Sequence, residues 1–218
     1  MVRSIAAASL ALSLAACVRE PLPQICPNIE VGTLVIAELR GPQSGSDSFG
    51  EWIEIHNTSA TTVDLEGVRI RIRQAGGDVI EFPIRESVEI PGGGEVAIGP
   101  GLPNEPASWL AYAIGWDISG GDATADPPSF PRDLLRESSG FIELEGCDED
   151  LLDVIYFADL PTLGTLACGN AEQPPDADAN DDTTTPGCWC VDAGDADPSQ
   201  PLFGVGQPGT PGRPNRCP

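Results

Sequence analysis

Residues 68–73 read Val-Arg-Ile-Arg-Ile-Arg. Strict alternation of β-branched apolar and charged residues has a period of two, and that period belongs to a strand with one buried face. The same period runs through much of the chain from residue 33 onward. Leu34–Leu39, Glu51–His56 and Glu95–Ile98 read as strands, and Ile80, Phe82 and Ile84 share one face. Val88 and Ile90 lead into the turn Pro91-Gly92-Gly93-Gly94. Phe141–Glu145 and Leu151–Phe157 flank a Gly146–Asp150 turn, and Gly76-Gly77-Asp78 reads as a hairpin turn. No stretch shows the 3.6-residue period of an amphipathic helix. About eight short strands with frequent turn signals predict an all-β fold, an immunoglobulin-like β-sandwich.

The N-terminus predicts export. Arg3 precedes an uncharged, mostly apolar stretch, Ile5–Ala16, which is too short to cross a bilayer. Leu14-Ala15-Ala16-Cys17 resembles the bacterial lipobox, which implies cleavage before Cys17 and lipid on that residue. Val18 rather than Asp after the Cys points to the outer membrane. Residues 1–16 are therefore expected to be a lipoprotein signal peptide and 17–31 a tether, with the membrane as first partner through the lipid anchor. A sandwich is expected over 32–168, carrying a long Gly/Pro-rich insertion at about 99–132. Trp109, Tyr112 and Trp116 in that insertion either cap the core or form a binding surface. Trp109–Gly115 is a candidate additional strand.

Residues 169–218 are expected to form an acidic, Cys-containing segment that closes the domain. Setting Cys17 aside leaves Cys26, Cys147, Cys168, Cys188, Cys190 and Cys217, an even number that predicts three disulfides in an exported protein. Cys147 and Cys168 bracket the last clear hairpin and are a candidate pair. Cys188 and Cys190 lie too close together for an easy mutual bridge and could instead hold Cys26 and Cys217.

Charge narrows the function. The chain carries a formal charge of -23, and every one of its 11 basic residues is an Arg. Nucleic acid is excluded as a partner on that ground, because phosphate binding needs a positive face. One histidine, His56, and no nucleophile or metalloprotease motif argue against an enzyme. A divergent hydrolase with an acidic site is the weakest alternative. No cofactor is expected, with one exception. Asp176, Asp178, Asn180 and Asp182 place oxygen ligands at alternate positions, as an EF-hand loop begins, although Asp181 and Gly187 stand where such a loop needs Gly and Glu. That segment, with the nearby Asp192, Asp195 and Asp197, is either a Ca²⁺ site serving adhesion or assembly, or a solvated acidic loop.

Val35-Ile36-Ala37-Glu38, then Gly50–Ser59 (Gly-Glu-Trp-Ile-Glu-Ile-His-Asn-Thr-Ser), then Val63-Asp64-Leu65-Glu66-Gly67-Val68 resemble the lamin tail domain family. Ile90–Gly94 resembles the family's next turn, and Gly209-Thr210-Pro211-Gly212-Arg213-Pro214-Asn215 resembles the close seen in its bacterial members. The chain departs from the family pattern at Ala37, His56 and Val68, where Asn, Tyr and Trp are usual. The resemblance implies an immunoglobulin-like sandwich used for structure or recognition and no catalytic residues. Glu38, Glu51, Trp52, Glu54, Asn57, Asp64 and Gly67 then carry architecture. Asn57 is expected to end its strand, Asp64 and Gly67 to set a turn, and Glu51 or Glu54 to pair across strands with Arg69, Arg71 or Arg73. The expected role is a non-catalytic envelope lipoprotein whose partner is an envelope or extracellular protein or glycan.

Overall fold

The computed structural model describes residues 25–44, 50–74, 79–100, 109–114, 134–135, 139–146, 149–184, 187–192 and 209–218. The signal peptide, Cys17, Cys147, Trp116, Asp195, Asp197, the 76–78 turn and most of the insertion lie outside those residues.

Among the described residues the fold is all-β and sandwich-like. Its strands are β1 (Leu34–Arg40), β2 (Trp52–Asn57), β3 (Val63–Asp64), β4 (Arg69–Gln74), β5 (Val79–Pro83) and β6 (Glu89–Ile90), followed by β7 (Glu95–Gly99), β8 (Tyr112–Ala113), β9 (Ser139–Glu145), β10 (Leu151–Ala158), β11 (Thr165–Cys168) and β12 (Trp189–Asp192). One sheet runs in the order β12-β11-β1-β2-β7-β8, a second runs β10-β9-β4-β5, and β3 pairs with β6. All pairings are antiparallel except β7 with β8.

Alternation places the core. Ile70 and Ile72 on β4, Phe82 on β5, Ile142 and Leu144 on β9, and Ile155 and Phe157 on β10 point inward. They meet Leu34, Ile36 and Leu39 on β1, Ile53 and Ile55 on β2, and Ile98 on β7. Each such side chain, fully buried, contributes about 1.5–3 kcal/mol. On the opposite face of β4 the arginines form an ion-pair ladder. Arg71 Nη1 lies 2.9 Å from Glu143 and 2.8 Å from Glu145, Arg69 reaches Glu81 and Glu145, and Arg73 stands 5.2 Å from the Phe141 ring centroid.

That ladder corrects the expected pairing with β2. Register sets β4 between β5 and β9, so Arg69 and Arg71 meet Glu81, Glu143 and Glu145. Glu51 instead accepts a hydrogen bond from the Leu135 amide, and Glu54 faces away into the other sheet's outer surface.

Three strands lacked a pattern signal. β3 has two residues, too few to show a period. The four residues of β11 are all buried, so they cannot alternate. β12 is a short Trp-Cys-Val-Asp run flanked by loop composition. The C-terminal segment thus enters the six-stranded sheet rather than lying outside it.

Turn chemistry follows the residues. Asn57 Nδ2 donates to the carbonyls of Thr61 (2.7 Å), Ile90 (2.9 Å) and Pro91 (3.2 Å), and its Oδ1 accepts from the Ser59 amide. Burial pushes the Asp64 carboxyl up, but the Ser87 hydroxyl and the amides of Glu66 and Val88 outweigh it and hold the group below its usual range. Gly67 has φ +92°, and a Cβ there would sit 2.2 Å from the Ile25 carbonyl oxygen. Gly67→Ala therefore combines backbone strain with a backbone clash and should destabilise the protein by more than about 2 kcal/mol. A urea melt checks this; a loss below about 0.5 kcal/mol would show that residues 25–27 can move away freely.

Candidate functional site

β1 and β2 are buried along their whole length, on both faces. An antiparallel sheet usually leaves one face wet, so something must cover the outer face. The cover is the C-terminal segment 209–217. Cross-strand pairing sets Glu38 opposite Glu54 on that face, and both are 0% exposed. Glu38 Oε1 accepts from the Thr165 hydroxyl. The Thr210 amide lies 3.4 and 3.3 Å from the two Glu38 oxygens. Glu54 Oε2 accepts from the Gly212 amide. Asn215 Nδ2 donates to the carbonyls of Ala37 and Cys168, both at 3.0 Å. Gly209 has no side chain for good reason: a Cβ there would meet Thr165 Cγ2 at 2.9 Å and Trp52 Cζ2 at 3.2 Å.

These glutamates are held largely neutral. Burial pushes the Glu38 carboxyl up to about 8, against the hydrogen bonds from Thr165 and Thr210. Burial, then the charges of Glu38 and Glu95, raises Glu54 well above the ordinary carboxyl range. Hydrogen-bond counting is compatible with a neutral Glu38. The Thr210 hydroxyl lies 3.1 Å from Glu38 Oε2 and 2.9 Å from Asn215 Oδ1, and it carries one hydrogen. If Thr210 donates to Asn215, only a protonated Glu38 can complete the remaining contact as a donor. Burial thus favours the neutral form of both glutamates beneath the tail.

A second polar plug sits where β1 bulges between Ile36 and Glu38. The Ile36 amide donates to Asp153 Oδ2 at 2.8 Å, and Asn180 Nδ2 donates to the Ile36 carbonyl and to Asp153 Oδ2. Burial pushes Asp153 up to about 6, opposed by the Ile36 amide and Asn180. This arrangement gives the calcium expectation no support. Asn180 is 0% exposed and turned into the sandwich, away from the exposed Asp176 and Asp178. Asp176 Oδ1 caps the Asp178 amide, and Asp182 Oδ1 caps Thr184. The four oxygen donors do not converge, and among the described residues no group of three or more His, Cys, Asp or Glu is placed to hold a metal ion. Trp189 Nε1 donates to the Asn180 carbonyl and so reports on this loop. Millimolar Ca²⁺ should leave Trp189 fluorescence unchanged; a saturable change lost in Trp189→Phe would restore the calcium reading.

The bridges tie the tail to the sheet. Cys168 pairs with Cys188 and Cys190 with Cys217, with Cα atoms 4.7 and 5.6 Å apart. Cys26 is also disulfide-bonded. The expected Cys147–Cys168 pair is therefore replaced: β11 and β12 are adjacent strands, and their register puts Cys168 opposite Trp189, next to Cys188. Cys188 accordingly does not hold Cys26, whereas Cys190 does hold Cys217. Arg216 adds a two-pronged ion pair to Asp192, at 2.8 and 2.9 Å.

Beside the covered face lies an open cleft of about 670 Å³. It is lined by His56 and Glu95, by Asn170, Ala171, residues 174–178 and Pro214, and by Val31, Gly32, Thr58 and Gly93. His56 pairs with Glu95 across β2 and β7, and its Nδ1 lies 3.1 Å from Glu95 Oε1. Alternation alone placed Glu54 and His56 on one face, but it carried no sign of the loop that turns that face into a cleft. The chain matches no family model and no curated protein.

Proposed function

We propose that this chain is an exported, lipid-anchored, non-catalytic recognition or structural module of the lamin tail type, held at the outer membrane. One observation carries the architectural half of this reading. Residues of the resemblance that look like acid–base candidates, Glu38 and Glu54, both bind the chain's own tail, Glu38 through Thr210 and Glu54 through the Gly212 amide. Glu54 and Gly212, 158 positions apart, belong to the two ends of the motif set and meet in one hydrogen bond. The E-W-I-E strand and the T-P-G-x-x-N turn are thus two halves of one clasp, which gives both motifs a role with no chemistry in it.

The anchoring half rests on Cys17 and the apolar stretch before it. Ile25 is the first described residue, eight positions after Cys17. An extended chain spans at most about 3.5 Å per residue, so the sandwich would sit within about 30 Å of the membrane. Radiolabelled palmitate and fractionation test this in the expressing bacterium. The wild-type chain should be labelled and in the outer membrane, and Cys17→Ser unlabelled and released. Wild-type protein found soluble and unlabelled would sink the anchor.

A further inference from the structure

The cleft over His56 has an unusual donor and acceptor balance. Two of its side-chain donors are already engaged. The Thr58 hydroxyl donates to the Gly32 carbonyl at 2.8 Å, and Asn170 Nδ2 donates to the Cys217 carbonyl at 2.8 Å. Asn170 Oδ1 is occupied as well, by the amides of Glu172 and Gln173. No Arg is among the described residues that line the cleft, and the chain contains no Lys.

What remains are acceptors. A carboxylate can only accept, so His56 donates through Nδ1 to Glu95, and in the neutral imidazole Nε2 is then a lone-pair acceptor. Glu95 is 9% exposed, its side chain 2%, yet its second oxygen, Oε2, is buried with no hydrogen-bond partner. A buried carboxylate oxygen left unpaired is costly, and a hydrogen-bond donor relieves it, a cationic donor most strongly. At the rim, Asp176 and Asp178 are exposed. Among the described residues the Asp178 carboxylate has no partner, and its amide is held by Asp176 Oδ1. Pro174, Pro175 and Pro214 supply stiff walls that need little ordering on binding.

We propose that this cleft binds a donor-rich organic cation, a guanidinium or primary ammonium group, on His56, Glu95 and Asp178. A metal ion fits less well, because its ligands would have to converge and these do not. The cleft volume lies in the range of small-ligand sites. The assignment deepens the recognition reading given above and rests on it only for the setting in which such a group is met. A basic side chain of a partner protein and a free polyamine share this chemistry.

The chain's single histidine makes the test direct, because its ring signals in a ¹H–¹³C NMR spectrum have one source. The full-length protein in detergent is titrated with N-acetyl-arginine amide, with spermidine, and with N-acetyl-citrulline amide as the uncharged isostere. The expected result is a saturable His56 shift with a cation and none with citrulline. Tighter binding of the arginine amide than of spermidine identifies a protein side chain as the source, and the reverse identifies a polyamine. Asp178→Asn should raise the Kd about two- to fivefold, as expected for an exposed pair. Glu95→Gln should raise it about tenfold or more. Asp178→Asn lies on an exposed loop, so it keeps the test valid if Glu95→Gln folds poorly. Absence of any shift at millimolar cation, an equal shift with citrulline, or an unchanged Kd in Asp178→Asn would overturn the proposal. Cation binding with failed palmitate labelling would retain the cleft and remove the anchor, whereas labelling without cation binding would do the opposite.

Discussion

Deleting residues 209–218 is expected to remove most of the stability of the sandwich, although the deletion takes no residue from either main sheet. The loss has separable parts. Cys190–Cys217 closes a loop with a sequence separation of 27, and a bridge of that span contributes about 3.5 kcal/mol by restricting the unfolded chain. Removing Asn215 strips the donor from two carbonyls, Ala37 and Cys168, in a buried setting, and each such loss costs about 1–3 kcal/mol. The deletion would also expose Trp52, now 1% accessible, and leave Glu38 and Glu54 facing water. The sum exceeds about 5 kcal/mol, comparable with the whole stability of many domains. Urea melts of the truncated chain, with Asn215→Ala and Cys217→Ser as single steps, check it. A truncated protein within about 1 kcal/mol of wild type would show that the tail merely lies on the sheet.

Acidification from pH 8.5 to pH 5 should stabilise this protein. A group whose pKa is raised on folding binds its proton more tightly in the native state. Its stabilising contribution is complete below the unfolded value and is lost as pH climbs through the folded one. Glu38, pushed to about 8, sets a window from about 4.5 to 8. Glu54 shifts in the same direction, and Asp153 adds a narrower window ending near 6. One kcal/mol moves the Tm of a chain this size by roughly 2–4 °C, so a rise of roughly 5 °C or more is expected. Relief of general charge repulsion acts in the same direction in so acidic a protein. Glu54→Gln separates the two. It mimics the neutral acid, so it should raise Tm at pH 8.5, leave it nearly unchanged at pH 5, and flatten the profile. Exposed Glu89→Gln should do neither. A Glu54→Gln variant less stable than wild type at both pH values would mean that the carboxylate form is the one the tail binds.

The sandwich was legible because alternation is local. Val68–Arg73 and Glu51–His56 each declare an inner and an outer face within six residues, and the structure uses those faces as declared. Arg69 and Arg71 lay on the expected outer face, but their partners came from β5 and β9, because strand order across a sheet is not written in any one strand. The same limit hid the clasp. Glu38, Glu54 and Asn215 each look like solvent-facing polar residues in their own segments, and only the folded chain shows them buried against one another. Asn180 shows the opposite failure. Spacing put it among calcium-type oxygens, while its role is to satisfy the backbone of Ile36 at the β1 bulge, a demand created by a strand 144 positions away.

The most direct measurement is a site-resolved ¹³C titration of the Glu38 and Glu54 side-chain carboxyls in the folded protein. Both should be predominantly protonated at pH 6, with Glu38 titrating near 8. Two carboxylates fully ionised at pH 6 would contradict a sheet face closed by neutral acids beneath the tail.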